Sequence, residues 1–297
     1  MELGRVGVWT WGFDRLPWAR VADAAREVEE LGYGTLWFGE GTGRDAPTQS
    51  ALLLGATRRI VVAPGVVSIP RHEPTTLARV EQTLAEAFPG RFLLGLGVGA
   101  KIITDEVGRP WNSPLATMAR FLEAMNAART TAPAPATPAP RVLAALGPRM
   151  LELAAKRTWG AHPFLMPVEH TAYARERVGP EALLAVHQNV VLDPDRARAR
   201  ETARAALAAF IANVHINPSR WRVMQQVGGL DESDLAGGGS DRLVDALTAY
   251  GDVDAVVARV RDQFAAGADH VCISVTTSDA HPVVGLPALR ELAPALP

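Results

Sequence analysis

Two runs of β-branched and aliphatic residues, Ile60 to Pro70 and Arg91 to Gly99, flank a helix-like stretch from Thr75 to Ala87, and each breaks into a glycine-marked turn. Neither run alternates with polar residues. Strands of that kind suit burial on both faces, the situation of a parallel sheet whose crossovers are helices. In such folds the chemistry sits in the turns that follow the strands.

The same alternation extends along the chain. Strands are expected at Arg5 to Thr10, Thr35 to Gly39, Val142 to Ala145, Ala161 to Leu165, Leu183 to Leu192 and Val271 to Val275. Helices are expected at Trp18 to Leu31, Thr48 to Thr57, Leu115 to Arg129, Arg149 to Lys156 and Val168 to Val178. With the opening pair, this makes eight strands interleaved with helices, an α/β pattern that predicts a closed (β/α)8 TIM barrel rather than an open sheet. The expected organisation is one domain over residues 1–297. Two segments interrupt it. Residues 130–140 form a Pro/Ala tract that suits an extended surface connector, because a strand resumes at Val142. Between strands seven and eight, Asp195 to Val214 reads as a long helix, and about 213–251 as a helical insertion containing Trp221 and Gly237 to Gly239, ahead of a further helix from Val253 to Ala266. That excursion is too long for an ordinary crossover, and a lid or a dimerisation element would each account for it.

A net charge of -2 gives no electrostatic reason to expect nucleic acid or an anionic membrane as partner. Basic charge is almost all arginine, with Lys101 and Lys156 the only lysines. The single cysteine, Cys272, excludes an internal disulfide and a thiolate metal cluster. No metal site is expected. No basic segment leads into an apolar stretch at the start, and no window approaches eighteen apolar residues. A soluble, cytoplasmic protein with a small-molecule substrate is the expectation.

A barrel assembles its active site from the loops after its strands. Trp9 and Trp11 flank the end of strand one, where an indole can wall a planar ligand or simply fill the core. Glu40 brings a carboxylate to the mouth, as proton donor, ligand anchor or structural ion partner. Arg71, His72 and Glu73 gather a cation, an imidazole and a carboxylate past strand three; His72 can shuttle a proton near neutral pH, or sit solvated beside a helix start at Pro74. Gly95, Gly97 and Gly99 lack dinucleotide-binding spacing and more plausibly let a flat ligand or a neighbouring backbone approach closely. Gly147, Pro148 and Arg149 open a helix directly after a strand, which suits an anion or an ordinary proline-started turn. His162 to Met166 follow the next strand. Lys101 would set a positive charge over the mouth, or point to solvent.

Several stretches resemble the luciferase-like flavin and deazaflavin oxidoreductases, and most closely a subfamily that uses the deazaflavin coenzyme F420. They are Leu31 to Glu40, Gly55 to Gly65, Pro89 to Gly97, Ala145 to Arg149, Gly239 to Asp245 and Ala266 to Val271, in the same order along the whole chain. The resemblance implies a barrel with an insertion beside its last strands, usually a homodimer. It also implies a tricycle at the C-terminal mouth, with its phosphate near Gly147, Pro148 and Arg149 and near His162, Pro163 and Met166. A non-proline cis peptide within Gly65, Val66 and Val67 would back the ring. Trp9, Gly97 and Gly99 would complete the cofactor wall, and Trp11, Arg71 and Lys101 would face substrate.

Two departures bear on substrate. Gly41 follows Glu40, and Ala100 and Lys101 follow the glycine turn, where the family's sugar-phosphate dehydrogenases carry a histidine and a glutamate. Alcohol oxidation through that pair is therefore not expected. The implied reaction is hydride transfer between C5 of F420 and a carbonyl, imine or activated alkene, with Glu40 or His72 exchanging the proton. Two alternatives stand beside it: an FMN-dependent monooxygenase fed by a separate reductase, and a non-catalytic relative that binds or stores the coenzyme.

Overall fold

The computed structural model describes residues 1–110, 113–216, 218–277 and 284–297. Its strands are β1 (Val6–Thr10), β2 (Thr35–Phe38), β3 (Val61–Pro64), β4 (Val67–Ser68), β5 (Leu94–Gly97), β6 (Arg141–Leu143), β7 (Gly160–Ala161), β8 (Leu183–Leu192), β9 (Thr248–Gly251) and β10 (His270–Val275). They pair in the order β3-β2-β1-β10-β8-β7-β6-β5-β4, with β9 on β8, and every pairing is parallel. The two ends of that order are arms of one bent strand. β3 and β4 join through a cis peptide between Gly65 and Val66. A parallel bridge from Val62 to Phe92 ties β3 to the residues leading into β5, so the seam closes and the sheet is a barrel.

Alternation along each strand sorts two cores. Val8, Leu36, Val62, Leu94, Leu143, Val186 and Val271 point outward into the layer shared with the helices. Trp9, Trp37, Ala63, Leu93, Val142, Ala185 and Cys272 point inward and fill the barrel. Large inward side chains need small neighbours. A Cβ on Gly7 would lie 2.7 Å from Nε2 of His270, so glycine there makes room for the imidazole.

The crossover helices lie close to where the apolar periodicity puts them, for example Trp18–Glu30, Pro74–Ala87, Pro114–Ala127 and Val168–Val178. Pro74–Ala87 and Pro114–Ala127 each carry proline in the first turn, where its missing N–H costs nothing. Residues 130–140 hold no helix or strand.

Three differences from the sequence expectation have physical causes. β7 stops at Ala161 instead of reaching Leu165, because Pro163 has no N–H for the ladder and Leu165 takes a left-handed φ of 53°. The helix Lys101–Glu106 follows Gly99, where only a turn was expected. The excursion between β8 and β10 is not helical throughout. It contains the helices Arg196–Ala212, Pro218–Gly228 and Asp241–Leu247, but ends in β9, which extends the sheet alongside Asn189 to Leu192. A separate cluster of Trp221, Met224, Leu243, Leu207, Val191 and Met166 packs that excursion against the barrel.

Candidate active site

Glu40 lies two residues beyond β2, and its side chain is only 4% exposed, so its carboxylate needs partners. It has three. Oε2 accepts from the Ser68 amide at 2.7 Å, and Oε1 accepts from the Ala46 amide at 3.3 Å. Nε2 of His72 donates to the same Oε1 at 2.8 Å. Because a carboxylate only accepts, that contact puts the proton on Nε2. The β3–β4 bend brings Ser68 and His72 back to the end of β2.

Beside this pair, the bend makes a wall. Nε1 of Trp9 donates to the Gly65 carbonyl at 3.2 Å. Val66 leans over β5: a Cβ on Gly97 would stand 2.4 Å from its Cγ2. Behind Gly65 lies His162, whose ring stacks on Trp37 with centroids 4.5 Å apart and 13° between planes. Its Nδ1 donates to the Ala185 carbonyl at 2.9 Å, which leaves Nε2 as a lone pair without a partner among the described residues. Burial pulls this imidazole down to about 4, so it is neutral.

The helix Pro148–Arg157 starts at Gly147 with no side-chain cap, and a Cβ on Gly147 would meet nothing within 4 Å. Arg149 is exposed there. The unpaired amides of that first turn and a nearby guanidinium suit an anion.

Other expected contacts fall elsewhere. His162 is inside the barrel and 1% exposed. The Pro163 carbonyl accepts from the His187 amide at 3.1 Å, and Met166 is buried in the excursion's apolar cluster. His162 turns inward because Ala161 faces the helices, which sends its neighbour to the interior. Arg71 bonds the Gly41 carbonyl and pairs with Glu106 at 2.8 Å, while Lys101 pairs with Asp105 on the outer surface. Trp11 covers Gly39 and meets Trp9 edge-on at 4.8 Å, with half its surface exposed at the rim. Val67 is buried in the outer core, and Gly99 adopts a φ of 70° that favours glycine. A surface cavity of about 310 Å³ lies at the opposite end of the barrel, beside Phe92, Pro138 and Trp159. Its lining has no acid, histidine or cysteine, so the chemistry belongs to the strand ends.

Residues 7–270 match the luciferase-like monooxygenase family. The chain belongs to that family. It is 24% identical over 286 residues to a 5,10-methylenetetrahydromethanopterin reductase of Archaeoglobus fulgidus, covering 82% of this chain and 86% of the relative. In fold it is similar to an F420-dependent secondary alcohol dehydrogenase in complex with an F420–acetone adduct, with a TM-score of 0.78 at 14% identity and 100% of both chains covered. It is also similar to the FMN-bound oxygenating constituent of 3,6-diketocamphane monooxygenase from Pseudomonas putida, with a TM-score of 0.73 at 17% identity, covering 100% of this chain and 99% of that one. The protein is therefore an oxidoreductase of the luciferase-like family, on a barrel that its relatives use with more than one cofactor.

Within this luciferase-like site, four residues carry contacts to which the sequence assigned no role. Ser68 supplies the amide that holds Glu40, and its hydroxyl, buried without a partner among the described residues, faces Gly99. Asp45 brings a second carboxylate within 4.8 Å of Glu40 and His72. Phe164 packs at a tilt against His187, with centroids 4.0 Å apart, and against Trp9 at 4.8 Å. The available signals were the Asp45-Ala-Pro start of a helix and an inward-facing histidine on β8.

Proposed function

We propose that this protein is an F420-dependent oxidoreductase that transfers a hydride between the deazaflavin and a carbonyl, imine or activated alkene of a small molecule. The observation that carries this reading is the Glu40–His72 hydrogen bond of 2.8 Å beside the bent β3–β4 strand, an acid–base pair next to a flat wall. The reductase similarity and the F420-bound fold neighbour support the choice of cofactor.

The residues present fit such a group. Gly65, Val66 and Gly97 form a wall with a single small side chain on it, and the uncapped amides at Gly147 with Arg149 suit its phosphate. Bound there, F420 would supply a hydride donor or acceptor at C5. The chain's own work is binding, orientation and proton handling. Trp9 fixes the Gly65 carbonyl, and Val66 would back a bound ring and leave its other side to substrate; orientation of this kind lowers barriers by several kcal/mol, on the order of 7–11 in favourable cases. His72 and Glu40 share one proton and pass it to or from the substrate heteroatom. Trp11, at the rim, gives substrate an apolar edge. The chain acts as one domain and, in this reading, as a homodimer.

Titration of purified protein with oxidised F420 is expected to perturb the coenzyme's visible absorption band saturably. Tight FMN binding with no affinity for F420 would overturn the proposal. A flavin reading has one observation in its favour, the FMN-bound neighbour that matches 100% of this chain. Oxygen uptake with reduced FMN separates the two, because a reduced deazaflavin reacts with oxygen very slowly.

A further inference from the structure

The acid–base pair sits at the inner end of a gradient of exposure. The Glu40 side chain is 4% exposed and that of His72 is 15%, while Asp45 is on the surface. Ligand atoms of the three lie within 4.8 Å of one another. Glu40 and His72 touch directly at 2.8 Å, and Asp45 lies within 4.8 Å of both with no hydrogen bond to either among the described residues, a separation at which a bridging water is the usual link. The Asp45 carboxylate is held in place by the helix it starts: Oδ2 accepts from the Thr48 amide at 2.8 Å and from the Thr48 hydroxyl at 2.6 Å. Next along that helix, the Ala46 amide binds Oε1 of Glu40. One helix start thus fixes both carboxylates next to the imidazole.

We propose that Asp45 is the outer station of a proton path running from solvent, through a water molecule and His72, to the buried carboxylate of Glu40. The proposal rests on the oxidoreductase reading above. Each reduction of a C=O, C=N or activated C=C bond adds a hydride to carbon and a proton to the other atom. The hydride is drawn from the reduced deazaflavin, which is oxidised. The proton leaves the Glu40–His72 pair, which regains one from water past Asp45. In the oxidative direction the same proton runs outward. Asp45 is a positioning residue in this scheme, because it acts through His72.

The other charges around His72 are paired off. Arg71 bonds Gly41 and Glu106, Glu73 pairs with Arg109, and Lys101 pairs with Asp105. Arg44 is held by the Phe13 and Leu16 carbonyls, with its own amide on Asp14. Asp45 is then the charge most able to tune His72 from the solvent side.

Asp45→Asn is the discriminating variant, since asparagine caps helices as well as aspartate does. In coenzyme-free protein, the imidazole NMR signals of His72, identified by their loss in His72→Gln, are expected to move in Asp45→Asn at constant pH. With F420 bound, kcat of Asp45→Asn should fall several-fold with KM unchanged, and small acids such as acetate should restore it. Unmoved His72 signals, or a wild-type kcat, overturn the path. If F420 fails to bind, the cofactor reading falls, and the coenzyme-free spectrum still decides whether Asp45 acts on His72.

Discussion

At the scale of single residues, Glu40 does most to define the site, and its environment explains how a carboxylate survives there. Two backbone amides and one imidazole offset its desolvation, so removal of its charge should leave a folded site without a working acid–base pair. Glu40→Gln is accordingly expected to retain F420 affinity within a few-fold while kcat falls by about 10²–10⁴, the usual contribution of general acid–base catalysis. Single-turnover absorbance measurements check it, and an unchanged rate would remove Glu40 from the chemistry. The sequence placed Glu40 and His72 after barrel strands with a structural alternative for each, and what it did not show is that the two side chains meet at 2.8 Å. Asp45 was not legible, since aspartate before Ala-Pro reads as a helix cap, which it also is. His162 was legible as a residue of the mouth but not in its direction. Only the register of β7, with Ala161 outward, turns the imidazole into the barrel against Trp37.

At the scale of elements, the site depends on how β4 and β5 meet. The two glycines of β5 accept side chains and backbone from the neighbouring arm: a Cβ on Gly95 would lie 2.2 Å from the Pro64 carbonyl oxygen, and one on Gly97 would collide with Val66. The Gly97 contact is with the tip of a side chain, so Gly97→Ala can fold by pushing Val66 toward the ring position. It is expected to lower F420 affinity by about tenfold, a cost on the order of 1.4 kcal/mol, with little change in thermal stability. Fluorescence titration reads the affinity; wild-type affinity would mean that Val66 does not touch the coenzyme. The glycine pattern of β5 was visible in the sequence, and the resemblance pointed to the bend at Gly65. The shortness of β7 and the existence of β9 were not visible. β9 is four residues long, and Thr248 to Gly251 lacks an apolar run; it becomes a strand because the longer β8 offers Asn189 to Leu192 as a template past the end of its pairing with the short β7.

For the whole molecule, the order of strand and helix was readable because each βα unit repeats the same change of period, but what fills the barrel emerges only from closure. Closure buries four imidazoles: His162, His187 and His270 within it, and His170 against the Leu146 carbonyl just outside. Burial holds His162, His170 and His270 down to about 4 and His187 well below its ordinary value, so all are neutral in the fold. In the unfolded chain each titrates near 6.5. Between those values the unfolded state binds more protons, so acidification favours unfolding. Stability should be flat above about pH 7 and should fall as pH drops from about 6.5 toward 4, each histidine contributing up to about a tenfold change in the unfolding constant per pH unit. Urea unfolding across that range measures the slope. His270→Gln removes one titrating group together with the bond it accepts from Trp37, so it should destabilise the protein at neutral pH and also flatten the acid limb. A midpoint independent of pH down to about 5 would mean that these imidazoles find protons or water inside the barrel, and that its interior is not the closed apolar core that the inward face of its strands describes.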